Sequence, residues 1–481
     1  MRRIVLHPNG NYARPGKRRS YVSANLDQVR ININYFFTSL ISNRKAQLFF
    51  MMVLEFFIWG AWLPLIFGYL PSLGFTPGQQ SLILNAFPVA SIVGMFFSNQ
   101  WADRRFVPEK FLAFSHLVGG LAILGCGFTR DFSTFFLLML AHCLFYVPTI
   151  SITNSIAFAN MRNPDKEFGL VRMGGTLGWI LAAWPFTFIF VNWAAVSAAQ
   201  PVGLVAWLST ALANPLTGAA AQAATKWTFI VAGLASLVLA VFSLTLPRSA
   251  PKVAGPVGEK LAWVEALKLL RHPFLLTLWL VTLVDSFVHN CYFNWTGVFL
   301  GTARAAGGVG IAANWITPIM SIGQVAEILT MFVLGATLKK FGWRTTMIVG
   351  ILGHAARFAV YAFYPQSAAM IILVQVLHGI CYAFFFATVY IFVDAYCPKD
   401  IRTSAQGLFN LQILGVGALL ANSICPYLIQ KIYTTGTGTD FGGLFLVPLA
   451  TASIAAIGLA LFFRPPTAGP GVLARSGAAQ P

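Results

Sequence analysis

Apolar runs of about twenty residues recur along the whole chain, and each is long enough to cross a hydrocarbon core roughly 30 Å thick as a helix. Twelve are legible, at 48–70, 80–101, 110–128, 133–159, 169–193, 226–246, 274–300, 312–337, 345–363, 368–394, 404–430 and 441–463. In lipid the backbone must satisfy its own hydrogen bonds, so only helices and closed barrels can span it. The alternation over about ten residues that marks barrel strands is missing. The chain therefore reads as an all-α, polytopic membrane protein. Its composition agrees. Of 481 residues, 57% are hydrophobic and 10% charged, with a mean hydropathy of +0.72, whereas soluble domains carry about 25% charged residues.

A net charge of +18 would suit a nucleic-acid partner, but its placement excludes one. Sorted by alternating loops, four of the 32 Lys and Arg (Arg130, Lys226, Arg304, Lys431) fall on one face. Two, Arg172 and Arg357, lie inside spans, and the rest share the side of the N terminus. Such a bias places both termini in the cytoplasm and is topology, not a ligand site. Within residues 1–47 the cations Arg2, Arg3, Arg14, Lys17, Arg18, Arg19 and Arg30 precede no signal-peptide core, which suits a tail lying on anionic lipid. The six cysteines show no metal-ligand spacing, and no GxxxxGK[ST] phosphate loop is present. No cofactor is expected, and ATP is not the expected energy source.

The basic, proline-bearing stretch 247–273 splits the spans six and six, giving bundles over 48–246 and 274–463 and a short tail over 464–481. After the second span of each half comes a short basic segment, Trp101-Ala-Asp-Arg-Arg-Phe106 and then Leu338-Lys-Lys-Phe-Gly-Trp-Arg344. Two pseudo-symmetric six-helix halves joined on the cytoplasmic side describe the major facilitator fold, whose substrate site lies between them near the midplane. Ala194–Thr225 is an Ala/Pro-rich insertion on the outer side, with 202–212 apolar enough for a short interfacial helix.

A guanidinium at bilayer depth costs at least about 2.5–3.5 kcal/mol and cannot shed its charge. Arg172 should therefore line a cavity, pair with an acid, or both. It shares a helix face with Thr176 and Trp179, at i, i+4 and i+7, while Gly174 and Gly178 offer a second face for close packing. Glu327, with Gln324 one turn before it, is the expected partner from the other half. A carboxylate there must pair with a cation or take up a proton, as a proton-coupled carrier requires. Glu55 in the first span is a second intramembrane acid, equally suited to protonation or to fixing its helix. Asp285 is read as a capped acid reaching solvent, and Arg357 as the partner of an acid.

His289, Asn290, Tyr292, Phe293, Asn294, Trp295 and Thr296 give the seventh span a wet, stacking face, with Trp295 also readable as an interfacial belt residue. His378, Tyr382 and Phe385 form a stripe expected to face the cavity. Aromatic faces with Asn, Gln and Thr suit a flat, neutral, polyhydroxylated solute. Sugars, nucleosides and many drugs meet that description, and a transport-dead sensor is a further alternative. No nucleophile–base constellation supports an enzyme.

Leu54-Glu-Phe-Phe-Ile-Trp-Gly-Ala-Trp62, Val171-Arg-Met-Gly-Gly-Thr-Leu-Gly-Trp179, Ile319-Met-Ser-Ile-Gly-Gln-Val-Ala-Glu327 and Arg402-Thr-Ser-Ala-Gln-Gly-Leu-Phe409 together resemble the bacterial nucleoside:proton symporters of the major facilitator superfamily, over about residues 48–463. The resemblance implies nucleoside import with protons across the inner membrane by a carrier working as a monomer. It also implies a substrate site of Arg172, Thr176, Trp179, Asn290, Phe293, Gln324, Glu327, His378 and Tyr382. Proton coupling would fall to Glu327, with Glu55 in support. Family members often carry Asp after the second aromatic of the tenth span, where this chain has Ala383.

Overall fold

The computed structural model describes residues 43–94, 107–162, 164–248, 266–397, 402–436 and 438–465. The basic tail, the first basic segment (Trp101–Phe106), most of the linker and the C-terminal tail lie outside them. Helix α1 (Arg44–Ser72) starts where the Asn43 side chain accepts from the Lys45 and Ala46 N–H groups, taking up donors that a first turn leaves free. Helix α2 starts at Pro77, capped by Thr76 and Gln79 reciprocally, and runs past a break at Asn85 to at least residue 94. Then come α3 (Pro108–Cys126), α4 (Phe132–Asn160) and α5 (Pro164–Ala183). Asp131 caps α4 through the Thr134 N–H at 2.8 Å, a bond that holds its carboxyl below the usual carboxylate range. The first half ends with α6 (Lys226–Ser243).

The second half opens with α7 (Pro273–Gly301). A single helical stretch, Ala313–Phe363, follows; only Gly342, at φ +72°, departs from helical geometry. It divides α8 (313–341) from α9 (343–363). The second basic segment is thus not a loop. Two spans meet at one residue that needs the left-handed region and has no Cβ to hinder it. Helices α10 (Ala368–Tyr396), α11 (Ser404–Tyr433) and α12 (Phe441–Phe462) complete the fold.

Nine stretches among the described residues qualify as spans by length and hydropathy. Ala313–Phe363 counts there as one, while α2 and α5 fall short, the former cut by undescribed residues and the latter bearing charge. The set is consistent with twelve passages.

Burial divides the molecule in two. One hydrophobic core runs from Leu48 to Leu246 and another from Phe274 to Phe463. The halves meet through α1 on α7, α2 on α11 and α5 on α8, a pairing that a two-fold exchange of the halves preserves. Every hydrogen bond between described residues of opposite halves lies at the end remote from the N terminus. There Asn85 Nδ2 donates to Ser423 Oγ at 2.9 Å, Asn422 Nδ2 to the Leu84 carbonyl at 3.0 Å, Gln430 Nε2 to Gln80 Oε1 at 2.7 Å and Thr317 Oγ1 to the Ala183 carbonyl at 3.0 Å. The two halves are closed on each other at this end.

The insertion folds at the same end as three short helices, Trp193–Ala199, Leu204–Ala213 and Gly218–Ala224. The middle one matches the expected interfacial segment. A stacked Trp193–Trp207 pair joins two of these helices to each other, and Asn314 Nδ2 donating to the Leu212 carbonyl ties the insertion to the bundle.

Candidate functional site

Close packing of α5 on α1 positions the first wall. A Cβ on Gly174 would lie 2.6 Å from the Phe49 carbonyl oxygen, and one on Gly178 would overlap the Val53 carbonyl. The two glycines let the backbones touch, and the opposite face of α5 turns inward with Arg172, Thr176 and Trp179 all partly exposed. The Arg172 guanidinium lies 4.2 Å over the Phe56 ring, a cation–π contact that compensates part of its lost hydration. Among the described residues no ion pair joins Arg172 to Glu327, although the Arg172 charge acts on that carboxyl. The expected direct pair is therefore absent from this conformation. The two groups belong to opposite halves, and both keep partial exposure.

A narrow cavity lies between the halves, lined by Gly60, Pro64, Trp179, Ala183, Tyr292, Phe293, Thr317, Met320, Ser321 and Gln324. Trp179, Phe293 and Gln324 were legible as site residues. Trp179 and Phe293 meet edge-to-face at 6.1 Å across the interface, and Trp59 closes on Trp179 at 5.3 Å. The buried Gln324 carbonyl oxygen has no partner among the described residues. Buried amide oxygens are normally satisfied, so one left free on a cavity wall is a recognition point. A larger void at the remote end is lined by seven apolar side chains and by Gln80, Asn294, Gln430, Thr434 and Thr439, whose polar groups are already engaged in Gln430–Gln80, Asn294–Asn422 and Thr434–Thr439 hydrogen bonds.

Other expected members stand apart from this wall. Asn290 keeps partial exposure, but its Nδ2 donates to the Ser286 carbonyl at 2.9 Å. Tyr382 is also partly exposed, yet the stripe expected with it breaks up. Phe385 is fully buried, and His378 is 2% exposed, with its Nδ1 held by Arg357 Nη1 at 2.9 Å. Phe385 lies inside a π-helical turn over Tyr382–Ala387, which adds a residue to the turn and rotates its face away from α-helical spacing, whereas His378 precedes that turn and is held by Arg357. Arg357 therefore pairs with a histidine, not an acid. Trp295 is no belt residue either; it is fully buried and donates to the Cys425 carbonyl. Ala383 is buried, and its carbonyl accepts from Thr388 Oγ1.

Two intramembrane acids sit behind the walls. Glu55 is fully buried, with Oε2 2.9 Å from His116 Nε2 and Oε1 accepting from Thr149 Oγ1 at 2.7 Å. Of its two possible roles, this geometry matches helix fixing. Asp285 does not reach solvent: it is fully buried, with Oδ1 2.8 Å from His354 Nδ1. The sequence signal that could have found this pair was the repeat itself. Each half joins an acid on its first helix to a histidine on its third.

Sequence reasoning passed over Trp59, Thr317, Met320 and Ser321. An indole within an aromatic run and a hydroxyl within an apolar one are poor signals without the opposing wall.

Two six-helix halves that enclose a mixed aromatic and polar cavity, and that among the described residues hydrogen-bond to each other at one end, define a secondary carrier of the major facilitator type. The profile of the nucleoside H+ symporter family matches residues 42–213 and 200–468, and the chain belongs to that family. It is 28% identical to YegT of Escherichia coli K12, over 87% of this chain and 93% of YegT. It is 23% identical to the xanthosine permease of the same organism, over 82% and 90% of the two chains. The crystal structure of the nucleoside transporter NupG superposes with a TM-score of 0.71, at 21% identity, covering 88% of this chain and all of that one.

Proposed function

We propose that the protein imports nucleosides together with protons by alternating access, with both termini on the cytoplasmic side of a bacterial inner membrane and the monomer as the working unit. The observation that carries this reading is the convergence of Trp179, Phe293 and the unpartnered Gln324 carbonyl oxygen on one cavity between the halves. Two ring faces hold a planar base by stacking, each such contact contributing about 1–3 kcal/mol, and an amide oxygen accepts from a base N–H. Thr176 and Asn290, both partly exposed, are assigned to the ribose hydroxyls, with His378 and Tyr382 outside the cavity lining of this conformation. Arg172 and Glu327 carry opposite charges on opposite halves, so the pair leaves no surplus charge for an anionic solute. Family membership supports the same solute class.

Glu327 is the leading proton carrier. Protonated, it frees Arg172 and lets the halves part; ionised, it draws the halves together. Glu55 supports the mechanism by holding α1 in place.

Competition distinguishes this reading from that of a sugar or drug carrier. Uptake of labelled uridine into vesicles should be suppressed by unlabelled nucleosides and left intact by ribose or by free bases. Suppression by ribose alone would favour the sugar reading and contradict this one.

A further inference from the structure

The two repeat-related acid–histidine pairs differ in how completely their polar atoms are satisfied. In the first half both Glu55 oxygens are bonded, and His116 passes its Nδ1 to Ser236 Oγ at 3.0 Å. That network is closed, as a structural one should be. In the second half Asp285 Oδ2, His289 Nδ1, and Arg357 Nε and Nη2 are buried with no partner among the described residues. These groups also touch one another. His289 stacks on His378 at 5.1 Å and meets His354 edge-on at 5.6 Å. Arg357 binds His378 and lies 4.1 Å over Tyr292. Such a network is costly to keep unless its unfilled valences are used.

We infer that Asp285, His354 and His289 form a second proton-binding site in the C-terminal half, reached from the substrate cavity past Tyr292 and Phe293. The inference rests on the proposed proton-coupled uptake and adds where a second proton is held. His289, which keeps some exposure while His354 and His378 are buried, is the receiving end. Its ring lies edge-on to Phe293 at 5.3 Å, and Phe293 and Tyr292 line the cavity.

A proton brought by hydronium binds His289, releasing water. It then passes to the Asp285–His354 pair, whose carboxylate balances the imidazolium formed. Opening toward the cytoplasm returns the proton to water by the same route.

Groups facing this site are few. They are Tyr292 from α7, Arg357 and Tyr361 from α9, His378 and Cys381 from α10, and Glu327 from α8, whose backbone packs on Gly379. α12 carries no titratable side chain, and the α11 thiol Cys425 pairs with Cys291 beyond Asp285 along α7. The Asp285 carboxylate, 2.8 Å from His354 Nδ1, makes that side the resting place. Asp285 is also the one buried acid of this half among the described residues.

The test uses full-length protein in liposomes with a luminal pH dye, and uridine as the probe. Wild type should acidify the lumen as uridine enters. Asp285→Asn and His354→Gln should cut protons moved per uridine by about half or more, a change of at least twofold, and flatten the pH profile of uptake. Uridine counterflow, which needs no net proton movement, should persist. If either variant fails to fold, His289→Gln carries the same expectation, since His289 has no hydrogen bond to lose among the described residues. Wild-type proton stoichiometry and pH profile in the folded variants would overturn the inference. Uridine uptake by wild type with no acidification would contradict proton coupling itself, and the inference with it.

Discussion

Arg172 is the residue on which the account is most exposed. Its charge is fixed, its face rests on Phe56, and its Coulomb partner Glu327 belongs to the other half. Removing one member of a desolvated charge pair typically costs about 2–5 kcal/mol, much of it from the charge left behind. Arg172→Ala is expected to lower initial nucleoside uptake by roughly a hundredfold, equivalent to about 3 kcal/mol. Arg172→Lys should fall between, because it keeps the charge but loses the planar contact. Wild-type rates in both would remove Arg172 from the site.

At this scale the sequence was informative where a polar group violated its solvent. Arg172, Gln324 and Glu327 stand out against apolar neighbours without any structure. It was poor at partners: Arg172 makes no direct pair with Glu327 among the described residues, and Arg357 holds His378 where an acid was expected. Asp285 looked able to reach solvent because only its distance along the helix could be counted, while burial by α9 could not.

At the scale of elements, spans were legible because lipid imposes a length. Their ends and phases were less so. The fifth span was read to residue 193, yet α5 ends at Ala183, where the apolar run continues into a short helix at Pro185–Ile189. Phe385 left the stripe expected with His378 and Tyr382 because a π-helical turn leaves no mark in spacing. The glycine face of α5 succeeded because small residues one turn apart have few other uses in a membrane helix. Gly178→Leu should therefore push α5 from α1 and lower the melting temperature in detergent, with about 1–3 kcal/mol of overpacking. An unchanged melting temperature would show that the α1–α5 approach is not close.

At the scale of the molecule, the conformation has one sealed end. Asn85 and Ser423 touch across it from opposite halves, and the native cysteines are buried. A cysteine pair at those positions should cross-link under mild oxidation, stop uptake and recover on reduction. Continued uptake by the fully cross-linked carrier would mean that this end need not open.

Proton coupling is the central claim, and imposed gradients test it most directly. In liposomes held at zero membrane potential, an outside pH lower by one unit should drive uridine to about tenfold accumulation if one proton accompanies each solute. Two protons would raise that ratio further, and a protonophore should abolish it. Uridine that merely equilibrates across the membrane, whatever the gradient, would contradict the account.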